Sequence, residues 1–163
     1  MKRILKISPS MLFGITISLM IIPYFDNEME KGKVGFGIWP TLFLSLILLS
    51  WYYSIGTFLP KRRPVKSVGW FKFNIFFLFI FLPILCIIVF TNEEIVKENI
   101  KLFIFFQIYF FIAFFQILVF CAKLLAFAEN HRVPKFSEYF QYVLLLWLFP
   151  IGIWVIQPRL NKY

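Results

Sequence analysis

Side chains that commonly serve in catalysis or bind metals are scarce in this sequence. It has one histidine, His131, and two cysteines, Cys86 and Cys121, both within apolar stretches. No disulfide framework or zinc-ligand spacing arises from so few, and we expect both cysteines to be buried as small hydrophobic side chains. The motifs HExxH and GxSxG and paired aspartates in apolar segments are also absent. We therefore expect no enzyme activity, no cofactor and no metal site.

Charged residues are also scarce. Only 15% of the 163 residues are charged, against about 25% in a typical soluble domain. In their place the chain has 61% hydrophobic residues, 24 of them phenylalanine. The core of a soluble protein this small could not enclose so much apolar side-chain surface. We therefore expect a lipid bilayer to surround most of the chain.

Five apolar runs follow one another along the chain, each close to the roughly 20 residues that cross a bilayer as a helix. Lipid-exposed backbone must satisfy its hydrogen bonds internally, which favours helices, and no run alternates with the period of two expected of a barrel. The sequence predicts an all-α, polytopic integral membrane protein with about five transmembrane helices. We expect one transmembrane domain over residues 1–163, without a soluble domain. The approximate spans are 8–25, 39–59, 71–90, 102–122 and 139–157.

The first and last runs each allow a second interpretation. The first follows basic residues, as a secretory signal would, but the stretch MIIPYFDNEME after it lacks a small-x-small cleavage pattern. We interpret it as a retained helix. The last is interrupted by Pro150 and Gly152, which suits either a kinked crossing or a re-entrant segment. Its length and its two tryptophans favour the kinked crossing.

The basic residues predict an orientation. Short loops rich in Lys and Arg stay in the cytoplasm, which places the N-terminus, KRRPVK and HRVPK there and the acid-rich loops outside. A full last crossing leaves 11 basic residues inside and 6 outside, and a re-entrant one leaves 13 and 4. We expect the bacterial cytoplasmic (inner) membrane, with the N-terminus inside, and no nucleic-acid partner. The expected topogenic residues, which would also bind anionic lipid headgroups, are Lys61, Arg62, Arg63 and Lys66.

Small residues recur at helical spacing in the first two runs. Helices in lipid associate by close packing of such residues and by interhelical hydrogen bonds. Packing within one chain is the default, and self-association the alternative. The expected packing residues are Gly14, Ser18, Thr41, Ser45, Ser50 and Ser54.

The fourth run carries a narrow polar stripe. Tyr109, Gln116 and Lys123 are seven residues apart, so they nearly superimpose on one helical face, whereas Gln107 lies on the opposite side. Lys123 is able to snorkel towards the cytoplasm. Gln116 sits near the middle of the run, where it needs a partner. That partner is a neighbouring helix, the water of a pore, or a bound ligand.

The ending FPIGIWVIQPRLNKY resembles that of small, uncharacterised multi-pass bacterial membrane proteins ending in PIGIW-x-x-QPR. The resemblance covers residues 149–163 and implies no activity and no site residues.

Two functions fit these observations. The first, which the sequence favours, is a homo-oligomeric pore or channel, as in the membrane effector of a bacterial defence or toxin system. The second is a non-conducting accessory or scaffold subunit that docks a protein partner through its basic cytoplasmic loops. The size of the purified particle would separate them.

Overall fold

The computed structural model describes residues 8–26, 38–59, 68–91 and 98–160. All regular secondary structure in these residues is α-helical, which confirms the expected all-α class. The helices are α1 (Pro9–Asp26), α2 (Ile38–Phe58), α3 (Val68–Thr91), α4 (Ile100–Asn130), α5 (Phe136–Trp147) and α6 (Phe149–Leu160).

Two of these helices are long and apolar enough to cross a membrane. They are α3, through its stretch Val68–Leu85, and α4 over its whole length. Only 22% and 17% of the residues in their most apolar windows are buried, so most side chains there are at least partly exposed. The shorter apolar segments Pro9–Leu19 and Leu42–Thr57 lie in α1 and α2. Length and composition thus support association with a membrane, and the expectation of five crossings stays a prediction.

Helices α3 and α4 pack antiparallel through aromatic side chains. Near the start of α3, the ring of Phe71 stacks on Phe120, with ring centroids 4.3 Å apart. Further along α3, Phe81 contacts Phe106, which comes earlier in α4. We call the end at which α2 finishes and α3 begins the basic end, because the connecting residues 60–67 include KRRPVK and no acid. Helix α4 therefore ends at the basic end.

Helix α2 lies at the centre of the packing. Trp51 and Tyr52 are fully buried. The Tyr52 hydroxyl donates to the carbonyl oxygen of Leu146 in α5 at 2.8 Å, and the Trp51 indole donates to Gln157 Oε1 in α6 at 2.9 Å. Buried polar groups need such partners, because leaving one unpaired costs about 1–3 kcal/mol. The two hydrogen bonds attach both short helices to α2.

Helices α5 and α6 form a hairpin. Helix α5 runs antiparallel to α4, since Tyr139 contacts Lys123 and Trp147 contacts Phe115. In α6, Arg159 Nη1 then donates to the Tyr142 hydroxyl at 2.9 Å. In one straight helix the 17 positions that separate them would span roughly 25 Å, beyond the reach of the two side chains. Helix α6 therefore folds back, and both ends of the hairpin lie at the basic end.

The hairpin turns at Leu148, where backbone and glycine geometry allow a sharp reversal. The Leu148 N–H still bonds to the Leu144 carbonyl at 2.8 Å, and its own carbonyl accepts from Gly152 N–H at 2.8 Å. A Cβ at Gly152 would lie 1.8 Å from the carbonyl oxygen of Leu145, so only glycine fits. The sequence favoured a kink in residues 139–157, and the structure places a sharp reversal there. The expected crossing by this segment stays a prediction.

Helix α4 continues beyond its expected end at residue 122 because its last turns are also packed. Ala122, Ala126 and Ala128 are buried there. His131 ends the helix in the left-handed conformation, with φ 53° and its N–H bonded to the Phe127 carbonyl. Such a residue commonly closes a helix C-terminus. His131 thus caps the C-terminus of α4.

Candidate functional site

The side chain of Asn74 joins α3 to the polar stripe of α4. Its Nδ2 donates to Gln116 Oε1 at 3.1 Å, and its Oδ1 accepts from the Tyr109 hydroxyl at 2.9 Å. Asn74 is buried, whereas Gln116 and Tyr109 are half-buried. The spacing of seven on α4 places its two polar side chains one above the other, where a single carboxamide is able to bridge them. We call Asn74, Tyr109 and Gln116 the carboxamide bridge.

The carboxamide bridge matters energetically because it lies between apolar helices. Phe77, one turn along from Asn74, packs edge-on against the Tyr109 ring, with centroids 4.7 Å apart. In lipid, one interhelical hydrogen bond contributes about 0.6–2 kcal/mol. Among the residues that the structure describes, no buried side-chain nitrogen or oxygen lacks a partner. The amides of this region are therefore engaged within one chain.

Lys123, the third member of the predicted stripe, faces a different neighbour. Its ammonium lies 5.1 Å from the centre of the Tyr139 ring in α5, within cation–π range. The predicted single face therefore divides: Tyr109 and Gln116 contact α3, and Lys123 contacts α5. Gln107, expected on the opposite side, is exposed. A pore lined by Tyr109, Gln116 and Lys123 stays a prediction.

The predicted helix-packing residues have mixed environments. Gly14 and Ser18 are exposed on α1, and a Cβ at Gly14 would meet nothing within 4 Å. Ser45 and Ser50 are half-buried in α2. Ser54 is buried, and its hydroxyl donates to the Ser50 carbonyl within the helix. The side chain of Thr41 lies outside the described residues.

At Gly56, α2 approaches the Phe71 side chain of α3 closely. A Cβ there would come within 2.2 Å of the Phe71 ring. Gly56 is not among the packing residues predicted from the sequence, so this contact was missed. A glycine one turn from the end of a helix was the available signal.

The residues predicted to be topogenic, Lys61, Arg62, Arg63 and Lys66, lie outside the described residues. The described part of the basic end has a different polar cluster, at the base of the hairpin. Arg159 Nη1 donates to Glu129 Oε1 at 3.0 Å and to the Tyr142 hydroxyl, which in turn donates to Glu129 Oε2. We call Glu129, Tyr142 and Arg159 the hairpin clasp.

The charges of the hairpin clasp are mutually stabilising. Partial burial lowers the pKa of the Arg159 guanidinium, but its hydrogen bond to Glu129 and the negative charge there raise it by more. Its pKa therefore lies above the ordinary value, and the side chain stays charged. Nearby, Glu138 accepts from the Lys135 N–H at 2.9 Å and from the Arg132 guanidinium, which fixes the start of α5.

The sequence indicated several of these polar residues but not the residues to which they bond. Asn74 is an amide within a phenylalanine-rich run of the sequence, and pairing it with Gln116 needs only an antiparallel α3 and α4. The hairpin clasp carried no comparable signal, because its members lie 13 to 30 positions apart and meet only when α6 folds back. The same holds for Trp51 and Gln157, 106 positions apart.

The described residues contain no cluster of three or more His, Cys, Asp or Glu side chains placed to hold a metal ion. Cys121 is buried, and its thiol donates to the Tyr52 carbonyl at 3.5 Å; the Cys86 side chain lies outside the described residues. The carboxamide bridge holds α3 and α4 together by uncharged hydrogen bonds. The hairpin clasp joins the ends of α4 and α6 through a charged pair. No protein-family model, curated protein or solved structure matches the chain.

Proposed function

We propose that this protein is a non-conducting accessory or scaffold subunit of a bacterial cytoplasmic-membrane complex. One observation carries the proposal: the carboxamide bridge engages Tyr109 and Gln116 within a single chain. The Gln116 amide, on which the prediction of a pore depended, has a partner on a neighbouring helix of the same chain. It therefore requires neither pore water nor a second subunit.

The outward surface of α4 supports this function. A conducting pore is lined by polar side chains or backbone carbonyls. Between residues 102 and 128, the exposed side chains of α4 are apolar except for Gln107, so a ring of subunits built on this surface would enclose a poorly hydrated channel. The same surface suits contact with acyl chains. Its members are Leu102, Ile104, Phe105, Ile108, Phe111, Ile112 and Phe115.

For the topology, we propose four crossings, α1 to α4, and a re-entrant hairpin entering from the cytoplasm. Helices α1 and α2 have 18 and 21 residues, close to the roughly 20 that a crossing needs. With Arg159 beside Glu129, the tail returns to the side of the basic loops. The distribution of 13 basic residues inside and 4 outside then follows the positive-inside rule more closely than 11 and 6.

The partner docks at the basic end in this proposal. Lys61, Arg62, Arg63 and Lys66 form the largest basic cluster of the sequence, and only two of the eight acidic residues, Glu129 and Glu138, lie on that side. Both are occupied by arginines. An acidic surface on the partner would complement the remaining positive charge.

A homo-oligomeric pore is the second candidate, as in the effector of a defence or toxin system. It is favoured by the half-buried state of Tyr109 and Gln116, which leaves part of each side chain available at a subunit contact. Gly14 and Ser18, exposed on α1, offer a surface for self-association.

The mass and conductance of the purified protein separate the two candidates. The accessory function predicts one copy per particle in mild detergent and in lipid nanodiscs, and no conductance in planar bilayers. The pore predicts a homo-oligomer whose conductance falls in Gln116→Leu, with insertion preserved, and turns towards cations in Gln116→Glu. Gln107→Leu is the matched control, since Gln107 is exposed on the same helix. A conducting homo-oligomer sensitive to Gln116 but not to Gln107 would overturn the accessory function.

A further inference from the structure

An apolar groove of about 260 Å³ lies between α1 and α2. It extends along α2 from Phe43 to Trp51, which is roughly 12 Å at the helical rise. Phe43 and Ile15 are exposed at its rim, whereas Leu12 and Trp51 are buried at its inner end. Its apolar lining consists of Leu12, Ile15, Phe43, Leu46, Ile47 and Trp51.

Neither water nor a packed helix suits this groove. Buried water needs two to four polar partners, and Ser50 is the one residue with a polar side chain among those that line the groove, apart from the Trp51 indole. That indole N–H is already bonded to Gln157. Helices in lipid approach one another over small residues, but the lining here is bulky and branched. An engineered cavity of about 150 Å³ holds benzene, so this larger, elongated groove has room for a hydrocarbon chain.

The inner end of the groove points towards the basic end. Leu12 comes three residues after Pro9, where α1 begins, and Trp51 comes seven residues before Phe58, where α2 ends. In the sequence, three basic residues precede α1 and KRRPVK follows α2. Basic segments beside a membrane attract anionic headgroups, at about 1 kcal/mol per residue. In the sequence, basic residues therefore precede α1 and follow α2, the two helices that form the groove.

We propose that the groove between α1 and α2 binds one acyl chain of an anionic phospholipid, whose headgroup lies at the basic end. The bound lipid fills the space between α1 and α2 and links their packing to the charge of the adjacent segments. This inference rests on the membrane location proposed above, but not on whether the protein conducts.

The test is native mass spectrometry of the full chain, delipidated in detergent and titrated with phosphatidylglycerol or phosphatidylcholine. We expect one saturable phosphatidylglycerol per chain and weaker binding of phosphatidylcholine. In Ser50→Phe, the new ring occupies the groove. If this ring displaces acyl-chain contact equal to about two methylene groups, the affinity for phosphatidylglycerol should fall roughly tenfold. Ser18→Phe is the matched control, because it makes the same change on the exposed side of α1, and it should bind as the wild type does.

Leu46→Phe is a second variant that fills the groove, and it keeps the test decisive if Ser50→Phe does not fold. Thermal melting of each variant in detergent shows whether it is folded. Equal affinity of the folded filling variants and Ser18→Phe would overturn the groove site. Equal binding of the two lipids would overturn the headgroup assignment. Groove filling that halves the particle mass instead would identify the occupant as a second copy of the chain. Absence of the wild type from the membrane fraction would overturn the proposed function as well, whereas failure of lipid binding alone would not.

Discussion

Arg159 donates a hydrogen bond of 3.0 Å to Glu129, thirty positions earlier in the chain. Both side chains are partly exposed, at 42% and 31%, and such pairs contribute at most about 1 kcal/mol. Their significance is geometric. A guanidinium near the end of α6 touches a carboxylate near the end of α4, so the last helix returns to the level at which α4 finishes.

This return predicts that the two ends of the hairpin lie on one side of the membrane. Cysteines introduced at Ser137, near the start of α5, and at Asn161, after α6, should react equally with an impermeant thiol reagent. Both should be shielded in intact cells and labelled in inverted vesicles. Opposite labelling of the two positions would show that the last segment crosses the membrane. Cys121 is buried and should contribute little background.

The distribution of charge predicts the orientation of the whole bundle. A cysteine at Ser67, beside the basic cluster, should be shielded in intact cells, whereas one at Asn92, in the acid-rich connection, should be labelled. The physical reason is that basic connections are retained in the cytoplasm. Permeabilised cells, in which both positions should react, are the control. The reverse pattern in intact cells would invert the orientation.

Neutralising Lys61, Arg62, Arg63 and Lys66 together should weaken or invert insertion, because they are the largest basic cluster. The readout is the labelling of Asn92→Cys in intact cells, which should fall in the neutralised background. Neutralising Lys31 and Lys33, in the acid-rich connection, is the control and should leave labelling intact. Normal insertion of the fourfold variant would assign the topogenic signal to other residues.

Gly152→Ala should disrupt the hairpin. The new methyl group would meet the Leu145 carbonyl oxygen at 1.8 Å, and forcing backbone apart in a packed region costs about 1–3 kcal/mol or more. The midpoint of reversible unfolding in mixed micelles should fall accordingly. Gly14→Ala is the control: nothing lies within 4 Å of its Cβ, and alanine gains up to about 1 kcal/mol in helix propensity. A Gly152→Ala protein as stable as Gly14→Ala would contradict the tight turn at Leu148.

The helical class was predictable because it depends on local composition. Stretches such as FFLFIFL permit few structures other than an apolar helix, and the boundaries of α1 to α3 agree with the expected runs to within a few residues. The direction of the chain after Leu148 was not predictable in this way. Pro150 and Gly152 indicate an interruption, but the angle depends on contacts with α2 and α4 that are distant in the sequence.

The candidate site was likewise predictable only where it depends on local sequence. The alignment of Tyr109 with Gln116 follows from helical periodicity, so it was visible in the sequence. Which helix would face them was not, because it depends on how α3 and α4 pack. Lys123 shows the limit of periodicity: seven residues nearly superimpose on a helix but drift by about 20° per repeat, and the next helix to pack there is α5.

The carboxamide bridge predicts energetic coupling between Asn74 and Gln116. Asn74→Leu removes both hydrogen bonds and should destabilise the protein more than Tyr109→Phe or Gln116→Leu, each of which removes one. Every lost bond should cost about 0.6–2 kcal/mol, measured by unfolding in mixed micelles.

In a double-mutant cycle, the costs of Asn74→Leu and Gln116→Leu should be non-additive by about 0.5–2 kcal/mol. The shared hydrogen bond is lost only once, so the double variant should be more stable than the sum of the single effects implies. Gln107→Leu is the matched control: it changes the same amide on the same helix at an exposed position, and it should be neutral or stabilising in lipid. Additive effects, with Gln116→Leu as harmless as Gln107→Leu, would mean that Gln116 has no partner on α3. The polar side chains of α4 would then again require a pore or a second subunit.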